Sequence, residues 1–310
     1  MGLIEFIMKY AVTGGLGFIG SNICRLLLKK GHQVIIIDNC HSGNETKILD
    51  IIDKVELHKN DIRDKNKIKK ILENVSGIFH NAALTDVQES YKKKEEFFAV
   101  NVEGTKNIFE IAKDYNIKVI FASSASVYGN TKTIPIEENF DKNPINPYGQ
   151  TKMENELSAE ILGKKGLRFM GLRYFNVYGI GQTNTYAGVI TQFLRKLKEN
   201  KPPIIFGKGS QIRDFIHVND VAEANIAAMN SNIENDFFNI GSGIGTSIIE
   251  LAKMMIQISK LQMEPSLEAP VTGDIENSTA SIEYAKNRLE WNPKIPLEIG
   301  LKEIMNKYEL

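Results

Sequence analysis

The stretch from Tyr10 to Gly20, YAVTGGLGFIG, constrains this chain more than any other. A short β-branched run ends at Thr13, a glycine cluster follows at once, and the cluster opens an amphipathic stretch from Phe18 to Lys30. Read as Gly15-x-Gly17-x-x-Gly20, this fits the dinucleotide fingerprint, in which glycines let the main chain approach a pyrophosphate. Unpaired N–H groups and the dipole at the helix start then hold the anion. Tight strand-to-helix turns also use glycine for steric reasons alone, so the next strand carries the decision. Val34-Ile35-Ile36-Ile37 ends in Asp38, a carboxylate 18 residues past Gly20, about where a ribose diol is gripped. That carboxylate repels an extra 2′-phosphate, and Asn39, Cys40 and His41 supply no arginine to receive one. The cofactor reading is NAD.

Strand and helix signals alternate through the first half. Apolar strands are expected at Tyr10–Thr13, Val34–Asp38, Val55–His58, Ile78–His80, Val119–Ala122 and Phe169–Leu172, with amphipathic helices near 18–30, 64–74, 95–115 and 148–164. The rhythm predicts an α/β, doubly wound parallel sheet with ligands at the carboxyl ends of its strands. After about Tyr178 it loosens. Strands at Asp214–Val218 and Asp236–Ile240 flank a helix at Val221–Met229, and further helices are expected at 248–260 and near the end of the chain. This organisation divides the chain into a nucleotide-binding domain at 1–178, rejoined at about 214–240, and a smaller mixed α/β substrate lobe at 179–310.

The second informative feature is Tyr148-Gly149-Gln150-Thr151-Lys152. Four residues make one helical turn, so the phenol and the ammonium share a face. A nearby cation favours phenolate and is expected to lower the tyrosine pKa from about 10, which suits general acid–base work on an alcohol. YxxxK is common by chance; here it opens the helix after Pro144 and Pro147 in a chain that already carries the nucleotide turn. Ser123 to Gly129 follows the strand Val119–Ala122, and a hydroxyl there can bond both a substrate oxygen and the phenol. Turn serines also satisfy main-chain groups, and some of these are expected to do so.

Composition narrows the partners. Thirty-eight basic and 38 acidic side chains cancel, so no overall field draws the chain to nucleic acid or an anionic membrane. Lys92-Lys93-Lys94 runs into Glu95-Glu96, the pattern of a solvated helix face. Cys24 and Cys40 form no CxxC pair, which argues against a disulfide framework or metal site and suits a reducing cytoplasm. Met1 to Ile7 carries Glu5 and lacks the basic start and cleavage site of a signal peptide.

These motifs together bring a family into view. The chain resembles the extended short-chain dehydrogenase/reductases, specifically nucleotide-sugar epimerases of the UDP-glucose 4-epimerase type. The resemblance runs through TGGLGFIG (13–20), IIDN (36–39), DIR (61–63), HNAA (80–83), NVEGT (101–105), SSASVYG (123–129), PYGQTK (147–152), LRYFNVYG (172–179), GSQIRDFIHVNDV (209–221), FNIGSG (238–243) and LEWNP (289–293). It implies Ser124, Tyr148 and Lys152 as the catalytic trio. It implies that Gly14, Gly17, Phe18, Ile19 and Gly20 line the pyrophosphate, that Asp38 and Asn39 bind the adenosine ribose, and that Asp61 and Ile62 touch adenine. Ala82 and Ala83 would pass the cofactor's backbone, Asn101 resembles the buried asparagine beneath the catalytic strand, and Lys152 would also bind the nicotinamide ribose. For the substrate, Ser124 and Ser126 follow the catalytic strand, Asn176 resembles a sugar contact, Val189 lies where the family holds the base, and Phe206 and Arg213 resemble nucleotide and diphosphate contacts. Arg213 also has a structural reading, an ion pair with Asp214 or Asp220. The implied reaction is epimerisation at C4 of a UDP-hexose through a transient 4-keto sugar, in a homodimer joined by the helices near 95–115 and 148–164.

Relatives with this framework do other chemistry. A 4,6-dehydratase expects an acidic pair, and a decarboxylase a glutamate, where Ala125 and Ser126 stand here. A keto-sugar reductase would consume NADPH, whereas Asp38 suits a recycled NAD better, and a non-catalytic NAD-binding regulator does not need the intact trio. Two departures bear on the donor: Val271 replaces an arginine three residues before Asp274, a substrate-side position, and Ile180-Gly181 replaces Pro-Arg. Ser278 stands where some relatives carry a bulky tyrosine, which predicts room for an N-acetyl group.

Overall fold

The computed structural model describes residues 7–182, 188–269 and 275–310. Its first half runs β1 (Lys9–Thr13), α1 (Phe18–Lys29), β2 (Gln33–Asp38), β3 (Glu56–Lys59), α2 (Lys65–Ile71), β4 (Gly77–His80), α3 (Val87–Lys92), α4 (Lys94–Phe98), α5 (Thr105–Asp114), β5 (Lys118–Ser124), α6 (Pro147–Gly163) and β6 (Phe169–Tyr174). The second half adds β7 (Asn176–Tyr178), α7 (Val189–Lys198), β8 (Ile204–Phe206), β9 (Ile212–His217), α8 (Val218–Asn230), β10 (Asn235–Ile240), β11 (Gly245–Ser247), α9 (Ile248–Ser259), β12 (Ser266–Glu268), β13 (Asn277–Ser278), α10 (Glu283–Leu289) and α11 (Leu297–Lys307).

Seven strands form the main sheet in the order β10-β6-β5-β4-β1-β2-β3, all paired in parallel. Because side chains alternate along a strand, both faces are apolar. Val12, Ile36, Phe79 and Ile120 pack on the side of α1 and α8, while Ala11, Ile35, Ile78 and Val119 pack on the side of α5 and α6. The chain lays β2 and β3 on one side of β1, then crosses to β4 on the other. That reversal opens a crevice at the carboxyl ends of β1 and β4, the place where this class of sheet binds its ligands.

The smaller lobe holds β11-β9-β13, with β7 also paired to β9, and a separate β8–β12 pair. Its core gathers Tyr178, Phe193, Phe215, Leu251, Met255 and Leu301. The chain returns to the main sheet through α8 and β10, but β9, expected to return with them, stays in the smaller sheet. A second difference concerns the helix expected over 95–115. It is α4, a π-helical turn over Ala99–Gly104, and α5. The wide turn carries Asn101 inward, where its amide bonds the Leu84 N–H (2.8 Å) and carbonyl (2.9 Å) and Thr151 Oγ1 (3.1 Å). Such turns recur at functional sites. Among the described residues no helix is long and apolar enough to cross a membrane.

Candidate active site

The site starts from the turn after β1. Gly14 has φ +68°, and a Cβ there would sit 2.8 Å from the main-chain nitrogen of Ala82. A Cβ on Gly20 would run into the Gly14 carbonyl. Gly17, the N-cap of α1, offers no side-chain cap, and the first helical turn has no acidic residue. Its orphan N–H groups therefore remain for an external anion. Gly14, Gly17, Phe18, Ile19 and Gly20 line a cleft of about 410 Å³. Gly15 does not line it; it packs against Ile36, whose side chain is 2.7 Å from a built Cβ. The working spacing is thus Gly14-x-x-Gly17-x-x-Gly20 rather than the one that starts at Gly15.

Beside the glycine turn stands Asp38, only 7% exposed. Its carboxylate accepts the Leu16 N–H (3.0 Å) and the Cys40 N–H (2.8 Å). Burial pushes its pKa up, and those two donors and Lys47 hold it down. Each oxygen keeps capacity for a ligand hydroxyl. Asn39, Ile62, Ala82 and Ala83 also line the cleft. Asp61 does not; it lies behind Asn39, bonded to that side chain and to Arg63. Asn101 likewise sits behind the wall, holding Leu84, which is on it. An uncapped helix start, a turn with no room for Cβ atoms and a buried carboxylate beside them together fit an NAD molecule.

The third element is α6. Asn146 caps it by accepting the Gly149 N–H at 2.8 Å, and Pro147 occupies the first turn, both favourable starts for a helix. Tyr148 and Lys152 then face the cleft beside Ser124, the last residue of β5. Lys152 is 3% exposed, donates to the Ala122 carbonyl at 2.9 Å, and lies 5.7 Å from the Tyr148 ring centroid. Burial lowers its pKa to about 8. Burial also raises the Tyr148 phenol to about 12, with a hydrogen bond from Ser124 as the opposing influence. The phenol therefore stands above its ordinary value and not below it as expected, because burial is the largest influence on it.

Among the substrate-side candidates, Ser124, Asn176 and Val189 are on the cleft wall. Ser126 is not; it donates its N–H to Ser124 Oγ at 3.1 Å and accepts that hydroxyl at 3.1 Å, the local turn role open to serines here. Phe206, on β8, is 42% exposed and away from the wall. Arg213 and Ser278 are register partners in β9 and β13, also off the wall, and Ser278 is buried. The carboxylates of Asp214 and Asp220 take main-chain donors, from Ser242, Gly243 and Ala280 and from Lys294 and Ile295. Asp274 lies outside the described residues, as does Val271.

The cleft wall also holds Lys47, Glu96 and Gln182, which no local motif marked, and Arg63, the last residue of DIR (61–63). Behind it, Glu156 forms a buried pair with Arg173 (Nη2 at 2.8 Å, Nε at 2.9 Å) and accepts Ser123 Oγ at 2.6 Å. Arg173 also bonds Tyr128 at 2.7 Å. One turn after Lys152, Glu156 ties α6 to β6 through Arg173 and, through Ser123, to β5, the strand that carries Ser124.

Comparison with known proteins agrees with this geometry. Residues 10–241 match the model of the NAD dependent epimerase/dehydratase family. A putative UDP-glucose 4-epimerase of Methanocaldococcus jannaschii is 39% identical over 300 residues, covering 95% of this chain and 96% of that one. The crystal structure of UDP-glucose 4-epimerase with UDP-glucose from Thermotoga maritima superposes with TM-score 0.93 at 34% identity, over 97% of this chain and 99% of that one. UDP-N-acetylglucosamine 4-epimerase from Methanobrevibacter ruminantium, in complex with UDP-N-acetylmuramic acid, gives TM-score 0.93 at 32% identity over 98% of each chain.

Proposed function

The chain belongs to the NAD dependent epimerase/dehydratase family, and from that premise we propose that it is an NAD-dependent 4-epimerase of UDP-hexoses. The observation that carries the reading is one cleft with an uncapped glycine turn and Asp38 at one end and Ser124, Tyr148 and Lys152 at the other. Gly14, Gly17, Gly20 and Asp38 would hold the cofactor. When bound, NAD supplies the hydride chemistry at C4 of the sugar, accepting and later returning it.

The chain's own share is proton transfer and orientation. Tyr148 Oη takes the proton of the 4-hydroxyl as the 4-keto sugar forms, and returns it to the 4-oxygen after the sugar has turned its other face. A phenol raised to about 12 stays protonated at neutral pH and so keeps the proton it returns in the second step. The first needs a cation close to the phenolate, and Lys152, on the same face of α6, is placed to supply it. Ser124 Oγ orients the 4-oxygen against the phenol. No net oxidation results, so one bound cofactor serves many turnovers.

Ala125 and Ser126 offer no carboxyl group for the elimination or decarboxylation steps of related enzymes, which favours epimerisation. UDP-glucose and UDP-galactose are the proposed substrate pair, with UDP-GlcNAc and UDP-GalNAc alongside. Support for the N-acetyl sugars comes from the likeness to the archaeal N-acetylglucosamine enzyme, since Ser278 is not on the cleft wall. A homodimer is supported by Phe98 on α4 and Leu157 and Ile161 on α6, apolar side chains left exposed on neighbouring helices. The buried Cys24 and exposed Cys40, both free thiols, suit a cytoplasmic setting. The test is NMR product analysis with UDP-, dTDP- and ADP-hexoses and no added reductant. C4 epimers of the UDP-sugars support the proposal; release of a 4-keto-6-deoxy sugar overturns it in favour of a dehydratase.

A further inference from the structure

We infer that His80 is a positioning residue for the cofactor: held by Thr105 on α5, its imidazole keeps Thr13 Oγ1 turned to the Ala82 N–H, and so fixes main chain that the dinucleotide passes. This rests on the NAD reading above and gives a role within it to a side chain that lies behind the cleft wall.

Thr13 and His80 face each other on the last rung between β1 and β4. Just past it the Asn81 N–H reaches the Thr13 carbonyl at 3.1 Å. There the strands part, β1 into the glycine turn and β4 into the segment that puts Ala82 and Ala83 on the cleft wall. The two exits stay in main-chain contact, with the Ala82 nitrogen 2.8 Å from where a Cβ on Gly14 would stand. A side-chain bond spans this junction: the Ala82 N–H donates to Thr13 Oγ1 at 3.2 Å. The same hydroxyl is hydrogen-bonded to His80 Nδ1 at 2.6 Å, and His80 Nε2 to Thr105 Oγ1 at 2.8 Å.

Thr13, His80 and Thr105 are all buried, so bulk water does not compete for these bonds. A threonine has three staggered χ1 wells, and the imidazole selects the one that presents Oγ1 to Ala82. Burial, with the charge of Lys152 as a second influence, pulls the imidazole pKa down to about 3. The ring is therefore neutral, with one N–H and one acceptor, and a hydroxyl serves either. Phe109 packs edge-on against it at 6.4 Å between ring centres, which helps hold its plane. The chain of contacts thus runs from α5 through a neutral ring to the turn that meets the pyrophosphate.

Asparagine places a polar atom near the Nδ1 position of histidine and glutamine near the Nε2 position, so the pair separates positioning from packing. In calorimetric titration of the full-length chain freed of nucleotide, His80→Asn should bind NAD within about threefold of wild type. His80→Gln and His80→Leu should bind about tenfold more weakly, the scale of one buried hydrogen bond. Urea unfolding should show similar stability losses for the Asn and Gln variants, since each leaves one threonine hydroxyl without its partner. Affinity that merely follows stability through the three variants overturns the role, as does wild-type binding by His80→Leu. Thr13→Val reads the same link from its other side and decides the matter where a His80 variant does not fold. It should weaken NAD by about tenfold while Thr13→Ser, which keeps the hydroxyl, stays within about threefold; equal binding by these two also overturns the role. If the wild-type chain binds no NAD, the cofactor reading itself falls; if wild type and every variant bind it alike, only the role of His80 is lost.

Discussion

Replacing Lys152 by methionine should stabilise the cofactor-free chain while removing its activity. Lys152 is 3% exposed, and burial brings its pKa from an ordinary 10.5 down to about 8. Each pH unit of that gap is worth about 1.4 kcal/mol, so the buried ammonium opposes folding by roughly 3 kcal/mol at pH 7. Methionine has similar length and no charge. It gives up the bond to the Ala122 carbonyl, a loss of about 1 kcal/mol, which leaves a net gain of about 2 kcal/mol. The sign with pH follows from proton counting. The unfolded lysine keeps its proton to about 10.5 and the folded one loses it near 8, so between those values the unfolded state binds more protons and wild-type stability rises with pH. The penalty is fully present below about 8 and gone above about 10.5. Tyr148 runs the other way, its folded phenol ionising near 12 instead of 10, but it is common to both chains and drops out of the difference. Urea unfolding of both chains at pH 7 and near pH 10.5 measures this, with equal m-values as the check on two-state behaviour. A variant no more stable than wild type at pH 7, or an advantage that persists unchanged at the higher pH, refutes the reasoning.

Tyr148→Phe should fold and bind NAD within about threefold of wild type while kcat falls by about 10²–10⁴, the usual worth of a positioned acid–base group; steady-state rates and calorimetry check both halves. Glu156→Gln should cost about 3–5 kcal/mol of stability because Arg173 is left buried and under-compensated, whereas Glu156→Met with Arg173→Met should recover most of it. Chemical denaturation of the single and double variants decides this, and equal losses in the two would contradict it. Gly14→Ala places a Cβ 2.8 Å from the Ala82 nitrogen at φ +68°, so NAD affinity should fall at least tenfold with about 1–2 kcal/mol of destabilisation. Sedimentation should show a dimer at micromolar concentration; a monomer there would refute the proposed pairing of exposed faces on α4 and α6.

What the sequence made legible was what is local. The apolar runs of β1 and β2 and the glycines between Thr13 and Phe18 fix a strand, a turn and a helix without help from distant residues. The spacing of Tyr148 and Lys152 needs only one helical turn. Hidden features depend on what the fold brings together. Asn101 sits in a π-helical turn because its amide is consumed by Leu84 and Thr151, 17 and 50 residues away. The rise of the Tyr148 pKa comes from burial by neighbours that no spacing rule reveals. Arg63 was visible in DIR (61–63), but its position on the cleft wall follows from the fork to Asp61. Asp61, Asn101, Ser126, Phe206, Arg213 and Ser278, assigned by resemblance, lie off the cleft wall, Asn101 as the buried asparagine that the resemblance describes.

The central claim is that one bound cofactor takes hydride from C4 and returns it to the same carbon. Incubating the enzyme with UDP-galactose deuterated at C4, in ordinary water and without added reductant, tests it most directly. NMR should show UDP-glucose with deuterium retained at C4. Loss of the label to solvent, or no epimer at all, would contradict the account.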